Sequence, residues 1–442
     1  MAAPQRWSTA TGASDWPAAE WWHSYQTSAL ETLLARARAG NLDLARSATQ
    51  ILQADAQLRQ AGASLLPQVG ASASTSRNGS QASGGTGVSG NSVGAGLNAS
   101  YELDFWGRNR AVVESARATL AATGYDRATI ALSIDANVTN TWFQWLEVRE
   151  RQELTLRSLE NAQRVLNLVE ARQRFGAADR LEVSQQRTLV HQLQASLPAL
   201  EQAELQLRNA LALLLGNPPG SALPEPPELG AIATPAIGAG LPAELLLRRP
   251  DIRASEARLV AANADLQAAR AALYPSIALT GQLGVQSVAL SNMLSAPTTA
   301  WNLVAGLTQP IFQGGRLRAQ VDLSEARQQE LLVEYRRSVL QALQDADTAL
   351  GAVYHARRRF ALLELAATEA ERAFELAEVR YRAGAITQQS LLDTQRTWYQ
   401  SQETLVQQRS AWLQATVDLY RALGGGWLAA EVSYAQPPSA GE

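Results

Sequence analysis

Histidine, which could bind a metal or shuttle a proton, is scarce here. The 442 residues hold only His23, His191 and His355, and none stands at the spacing of a ligand pair. Cysteine is absent, which removes disulfides, thiol nucleophiles and cysteine metal sites. Lysine is absent too, so all 38 basic residues are arginine. That removes the phosphate-gripping lysine of a Walker A loop and Schiff-base chemistry. Aspartates and glutamates are plentiful, but they form no nucleophile motif, metal spacing or pocket-building βα pattern. The reading is a protein that is not an enzyme and uses no cofactor or metal. What remains is charge placed at a turn. The phrase RYRAGAITQQSLLDTQR (Arg380–Arg396) sits between two long helical stretches, and a weaker version, RQRFGAADRLEVSQQR (Arg172–Arg187), occurs earlier.

The bulk numbers narrow the class. A net charge of −3 and a pI near 5.8 give no basic field, so nucleic acid is not an expected partner. A hydrophobic fraction of 46% is that of a folded protein. No apolar run reaches the roughly 18 residues of a transmembrane helix. The opening MAAPQRWS lacks the basic and apolar regions of a signal peptide. The expectation is either a cytosolic chain or one whose signal has been trimmed.

The elements that position the charged turn are written twice. Pro67 and Pro275, Arg108 and Arg316, Gly176 and Gly384, and Gly216 and Gly424 are each 208 residues apart. One shared offset at four landmarks predicts tandem copies. The expected order in each is a helix (Ser28–Ser64, then Asp251–Leu273) ended by proline, two strands, a helix of unusual length, a glycine break, and a last helix. The predicted division is an N-terminal segment 1–27, repeat one 28–219, a linker 220–250, repeat two 251–428 and a tail 429–442. Within the repeats the expected strands are 68–77, 93–103, 276–286 and 301–312. The expected long helices are 109–175 and 317–382, followed by helices 181–215 and 388–423, with Pro198 expected to kink or break the third of these.

The long stretches exceed the usual globular helix severalfold. In the second, apolar residues step by four and three from Leu332 through Tyr335, Val339, Ala342 and Ala346 to Phe374, Ala377 and Tyr381, which is a heptad seam. The first repeats it less strictly through Ile134, Val138, Trp145, Leu166 and Val169. The strands alternate an apolar face (Val93, Ala95, Leu97, Ala99, Tyr101, Leu103) with a small polar one (Gly94, Gly96, Asn98, Ser100, Glu102). Strands of about ten residues suit a bilayer. A lone sheet with free edges is a hazard in water and forbidden in lipid. One chain supplies four strands, so closure needs oligomers: eight strands from a dimer, twelve from a trimer.

Several phrases carry a family resemblance. ELDFWGRNR (Glu102–Arg110), PIFQGGRLRA (Pro310–Ala319), GLPAELLLRRPDI (Gly240–Ile252), the second charged turn and YRALGGGW (Tyr420–Trp427) are similar to motifs of the outer membrane factor family. These are the TolC-like ducts, and the OprM branch serves drug pumps. The resemblance spans about residues 20–428. It implies an α-plus-membrane-β fold: a homotrimer with a twelve-stranded barrel in the outer membrane of a Gram-negative bacterium, and a twelve-helix tunnel in the periplasm. Ser28–Ser64 and Gly220–Gly240 would contribute to an equatorial belt, with Trp7, Trp16, Trp21 and Trp22 along the tunnel exterior or packed on the surface. It also implies a passive exit duct for small amphiphilic compounds, docked to a periplasmic adaptor (membrane fusion) protein and an inner-membrane RND-type transporter. Alternatives are a duct for type I protein secretion and a non-membrane coiled-coil scaffold. Members of the branch are usually lipoproteins, and the acylated N-terminal cysteine has no counterpart here. Matched residue by residue, Tyr381, Arg382 and Asp393 fall on the family's channel-closing positions, with Glu182 as a candidate partner. The triplet Leu391–Asp393 reads as a helix start that Asp393 could cap.

Overall fold

The computed structural model describes residues 7–8, 16–80, 88–238, 240, 242–289, 298–425 and 427. The strand-tip phrases NGSQASGGTGVSGN and SVALSNMLSAPTTA fall in large part outside the described residues, and the predicted tail 429–442 lies wholly outside them. In chain order the main elements are α1 (Ser28–Gly40), α2 (Leu42–Ala63), β1 (Gln68–Ser80), β2 (Val88–Leu103), α3 (Arg108–Arg174), α4 (Arg180–Leu214), α5 (Leu245–Arg248), α6 (Pro250–Ala271), β3 (Ser276–Ser287), β4 (Thr298–Thr308), α7 (Arg316–Arg382) and α8 (Gln388–Ala422). The pairs α2/α6, α3/α7 and α4/α8 begin and end 208 residues apart. Duplication therefore extends to helix termini. At 67 residues, α3 and α7 each extend about 100 Å at 1.5 Å per residue.

Two compact units are present, and each draws on both copies. One comprises Met1–Ala48, Tyr125–Arg253 and Ser338–Glu442; the other comprises Thr49–Gly124 and Ala254–Arg337.

The second unit holds a four-stranded antiparallel sheet in the order β1-β2-β3-β4. Its register sorts the side chains. Ala71, Leu97, Leu283 and Trp301 form one row across the sheet, and Val69, Ala99, Gly281 and Leu303 form another. Between them, on the opposite face, run Gly70, Asn98, Gln282 and Asn302. The apolar face is bare in the single chain: Trp301 is 77% exposed and Leu303 73%. β4 stops at Thr308 rather than continuing to Phe312 as the sequence suggested. Pro310 has no N–H to give a ladder and disfavours continuation there.

The first unit carries the cores. Trp142, Tyr25 and Phe143 are fully buried there with Leu30, Leu33 and Leu34, each worth roughly 1.5–3 kcal/mol of burial. Trp21 and Trp22 belong to this core; Trp21 stacks on Tyr420 at 4.9 Å. They are interior packing, not exterior aromatics. Leu229 and Ile232 of the 220–250 segment join the same cluster. A second cluster, centred on Val165, Leu391 and Tyr381, fills the space among α3, α4, α7 and α8. The α7 seam is buried at Ala342, Ala346, Phe374 and Ala377, whereas Leu332 remains 36% exposed.

The expected single helix Ser28–Ser64 is two helices. Asn41 leaves the helical region (φ −65°, ψ 128°). Its Oδ1 accepts from the Asp43 and Leu44 amides, and its Nδ2 donates to the Leu214 carbonyl at 2.8 Å. Backbone approach forces the break: a Cβ on Gly216 would stand 2.0 Å from the Gly40 carbonyl oxygen. The second copy builds the same joint with different chemistry. Gly424 abuts the Arg248 carbonyl, and Arg249 donates to the Ala422 carbonyl at 3.1 Å while pairing with Asp251 and Asp345. α4 runs through Pro198 without interruption.

Candidate functional site

Each long helix turns back through the same backbone. Gly176 and Gly384 take φ of 73° and 74°, the left-handed conformation that costs a side chain about 1–2 kcal/mol. In both turns the following amide reaches back over the last helical turn: Ala177 N to Arg172 O at 2.8 Å, and Ala385 N to Arg380 O at 2.9 Å. This satisfies carbonyls otherwise orphaned at a helix C-terminus. Asp179 and Thr387, one on each copy, then cap the returning helices through the Glu182 and Ser390 amides.

Around the second turn the side chains reach across to the first copy. Tyr381 is 2% exposed, and its hydroxyl donates to Glu182 Oε2 at a long 3.5 Å. The Arg172 guanidinium lies 4.5 Å over the Tyr381 ring and donates to the Tyr381 carbonyl. Burial pushes the Tyr381 hydroxyl above the ordinary phenol range; Glu182 adds to the shift and Arg172 opposes it. Arg382 pairs with Glu378 at 2.6 Å, and Arg164 of the first copy takes the other carboxylate oxygen at 3.2 Å. Deeper in, Gln186 donates to Gln395 at 3.2 Å, Gln395 donates to the Tyr399 hydroxyl at 2.8 Å, and that hydroxyl donates to the Ser158 carbonyl at 2.9 Å. Burial, the largest influence, raises the Tyr399 hydroxyl far above its usual range.

Of the four residues expected here, Tyr381 and Glu182 meet, and Arg382 is occupied by Glu378. Asp393 stands apart on the exposed face of α8, accepting from Gln389 at 2.9 and 3.1 Å. It caps nothing: the helix starts at Gln388, as expected for 388–423, and the capping expected of Asp393 falls to Thr387. Arg172 and Glu378 were not anticipated. A signal for Arg172 existed, since it is the counterpart of Arg380 one repeat away; Glu378 offered none among the many charges of α7.

The chain resembles known proteins along nearly its whole length. The outer membrane efflux protein family profile matches it twice, at residues 33–217 and 241–425, again displaced by 208. The pyoverdine export outer membrane protein OpmQ of Pseudomonas aeruginosa is 42% identical over 437 residues, covering 97% of this chain and 92% of that protein. The open-state structure of the Neisseria gonorrhoeae MtrE outer membrane channel superposes with a TM-score of 0.87 at 31% identity, covering 96% of this chain and 95% of that one. The outer-membrane channel OprN gives a TM-score of 0.91 at 28% identity, with 96% and 97% covered. A duplicated chain with an open amphipathic sheet and paired helical hairpins, matched twice by one profile, belongs to the outer membrane efflux protein family and works at the outer membrane in efflux.

Proposed function

We propose that three copies of this chain assemble a passive, gated exit duct of a tripartite efflux pump. The observation that carries this is the sheet: four long strands, one apolar face bare, and both edges open. In lipid such a sheet must close, and three copies close it at twelve strands. The apolar face then meets outer membrane lipid, and the row of Asn98, Gln282 and Asn302 faces water. Among the described residues no helix is long and apolar enough to cross a membrane; in this reading the four amphipathic strands make the crossing. Energy must come from an inner-membrane RND-type transporter, reached through a periplasmic adaptor protein docked on the helical hairpins.

The second hairpin is the gate in this reading. Tyr381 on Glu182 holds it against the first, Arg382 orders Glu378, which Arg164 of the first also grips, and Asp393 of three copies makes a carboxylate ring that favours cations. The cargo is a small amphiphilic compound. The 42% identity to a pyoverdine export protein favours pyoverdine as its specific form. Single-channel recording in planar bilayers tests the duct, comparing wild type with Asp393→Ala. Small, cation-preferring events whose preference falls in the variant support it. Protein that stays in water without detergent and forms no channel overturns it.

A further inference from the structure

The sheet carries a numerical regularity that says how neighbouring copies join. Resting on the closed-barrel reading above, we infer that β4 of one copy pairs with β1 of the next in one defined register: Leu307 opposite Ala73, Ala305 opposite Thr75, Leu303 opposite Arg77.

The derivation uses the duplication alone. In β1–β2, Gln68 faces Ser100; in β3–β4, Ser276 faces Thr308. Both partners move by 208, so the hairpin register is preserved between copies. The β2–β3 pairing joins copy one to copy two within the chain: Ala99 faces Gly281 and Leu97 faces Leu283. A ring built of repeats has two kinds of link, this one and the link between chains. The same two strand types meet at both, a second strand and a first strand. Shifting Ala99 forward and Gly281 back by one repeat gives Leu307 facing Ala73 of the neighbouring copy. Shifting Leu97 and Leu283 likewise gives Ala305 facing Thr75.

Two independent features of the side chains agree. The first is parity. A slip of one residue would turn β1 over against β4; in this register the apolar-face positions of β4 meet the same face of β1, whose polar members, Thr75 and Arg77, fall toward the tip end of the strand. The apolar row Leu103–Ile277–Leu307 continues into Ala73, and the amide row Asn98–Gln282–Asn302 continues into Asn78. The second is size. On the apolar face the large, exposed Leu307 and Trp301 of β4 come beside Ala73 and Gly79 of β1, the large-beside-small arrangement that lets facing side chains interlock.

The absence of native cysteine makes the test direct. Directly opposed residues on an antiparallel pair lie about 4.5–5.5 Å apart at Cβ, and diagonal ones about 7–8 Å, too far for ready disulfide formation. Ala305→Cys is combined with Thr75→Cys, and separately with Ala73→Cys or Arg77→Cys, which stand for slips of two residues. The full-length protein is oxidised in detergent and run without reductant. The expected result is a ladder ending at covalent trimer for the Thr75 pairing, at least several-fold stronger than for either slipped pair. A second pair in the same register, Leu307→Cys with Ala73→Cys, guards against a local folding failure. Strongest linkage in a slipped pair, or none in a particle whose mass is trimeric, overturns the register and leaves the trimer standing. No linkage in a particle of single-chain mass overturns the closed barrel itself.

Discussion

The two hairpin turns share a backbone and differ in what braces them. The first is tied within its own copy: Arg187 of α4 pairs with Glu170 of α3 at 2.7 Å, and Asp179 caps α4. The second is tied to the first. Arg172, Glu182, Arg164 and Gln186 of copy one hold Tyr381, Glu378 and Gln395 of copy two. The counterpart of Arg187 is Gln395, and the counterpart of Glu170 is Glu378. The brace that was internal in one copy has been rewired outward in the other. A self-braced hairpin can stay put when its neighbour moves; a cross-braced one is released when the shared contacts go. Duplication thus supplies a self-braced hairpin and a cross-braced one from one template.

The largest expected effect comes from cutting the cross-braces. Arg172→Ala with Glu182→Gln is expected to raise single-channel conductance several-fold, whereas Glu170→Gln, which cuts only the internal brace, is expected to leave it unchanged. Equal responses would erase the distinction between the turns. Alkaline pH gives a smaller, sharper version. The Tyr381 proton is held more tightly in the fold than in an unfolded chain, so the folded contact loses stability as pH rises above the ordinary phenol value of about 10. Wild-type conductance should be flat from neutrality to that point and rise beyond it, and Tyr381→Phe should lose the rise. The smallest effect separates turn from joint. Nothing lies within 4 Å of a Cβ placed on Gly384, so Gly384→Ala should cost only about 1–2 kcal/mol of left-handed strain. At Gly216 the added carbon would meet the Gly40 carbonyl at 2.0 Å, and Gly216→Ala should cost about 4 kcal/mol or more. Thermal unfolding in detergent reads both.

The duplication, the strands and the long helices were legible because their signals are local: prolines and glycines at one offset, alternation at period two, a seam at period 3.5. The break at Asn41 was not. One glycine inside a helical pattern is tolerated, and only the approach of Gly216, 176 residues downstream, makes continuation impossible. The site divides the same way. Tyr381, Arg382 and the candidate partner Glu182 could be picked by family resemblance, and Tyr381 does meet Glu182; the braces from Arg172 and Arg164 could not, because pairing between distant hairpins leaves no mark in a single sequence. Asp393 was assigned a capping role by composition, when the nearer hydroxyl of Thr387 already held the helix start.

The preserved hairpin register has a bearing on how such a chain can evolve. A one-residue insertion inside any strand would turn every later residue of that strand to the wrong face. In the closed ring proposed above, an even insertion in one copy alone would make the two kinds of link unequal. For the strands, length changes are therefore expected to be tolerated in the connections rather than inside them. The two halves of this gene are free to diverge in chemistry but bound to each other in length.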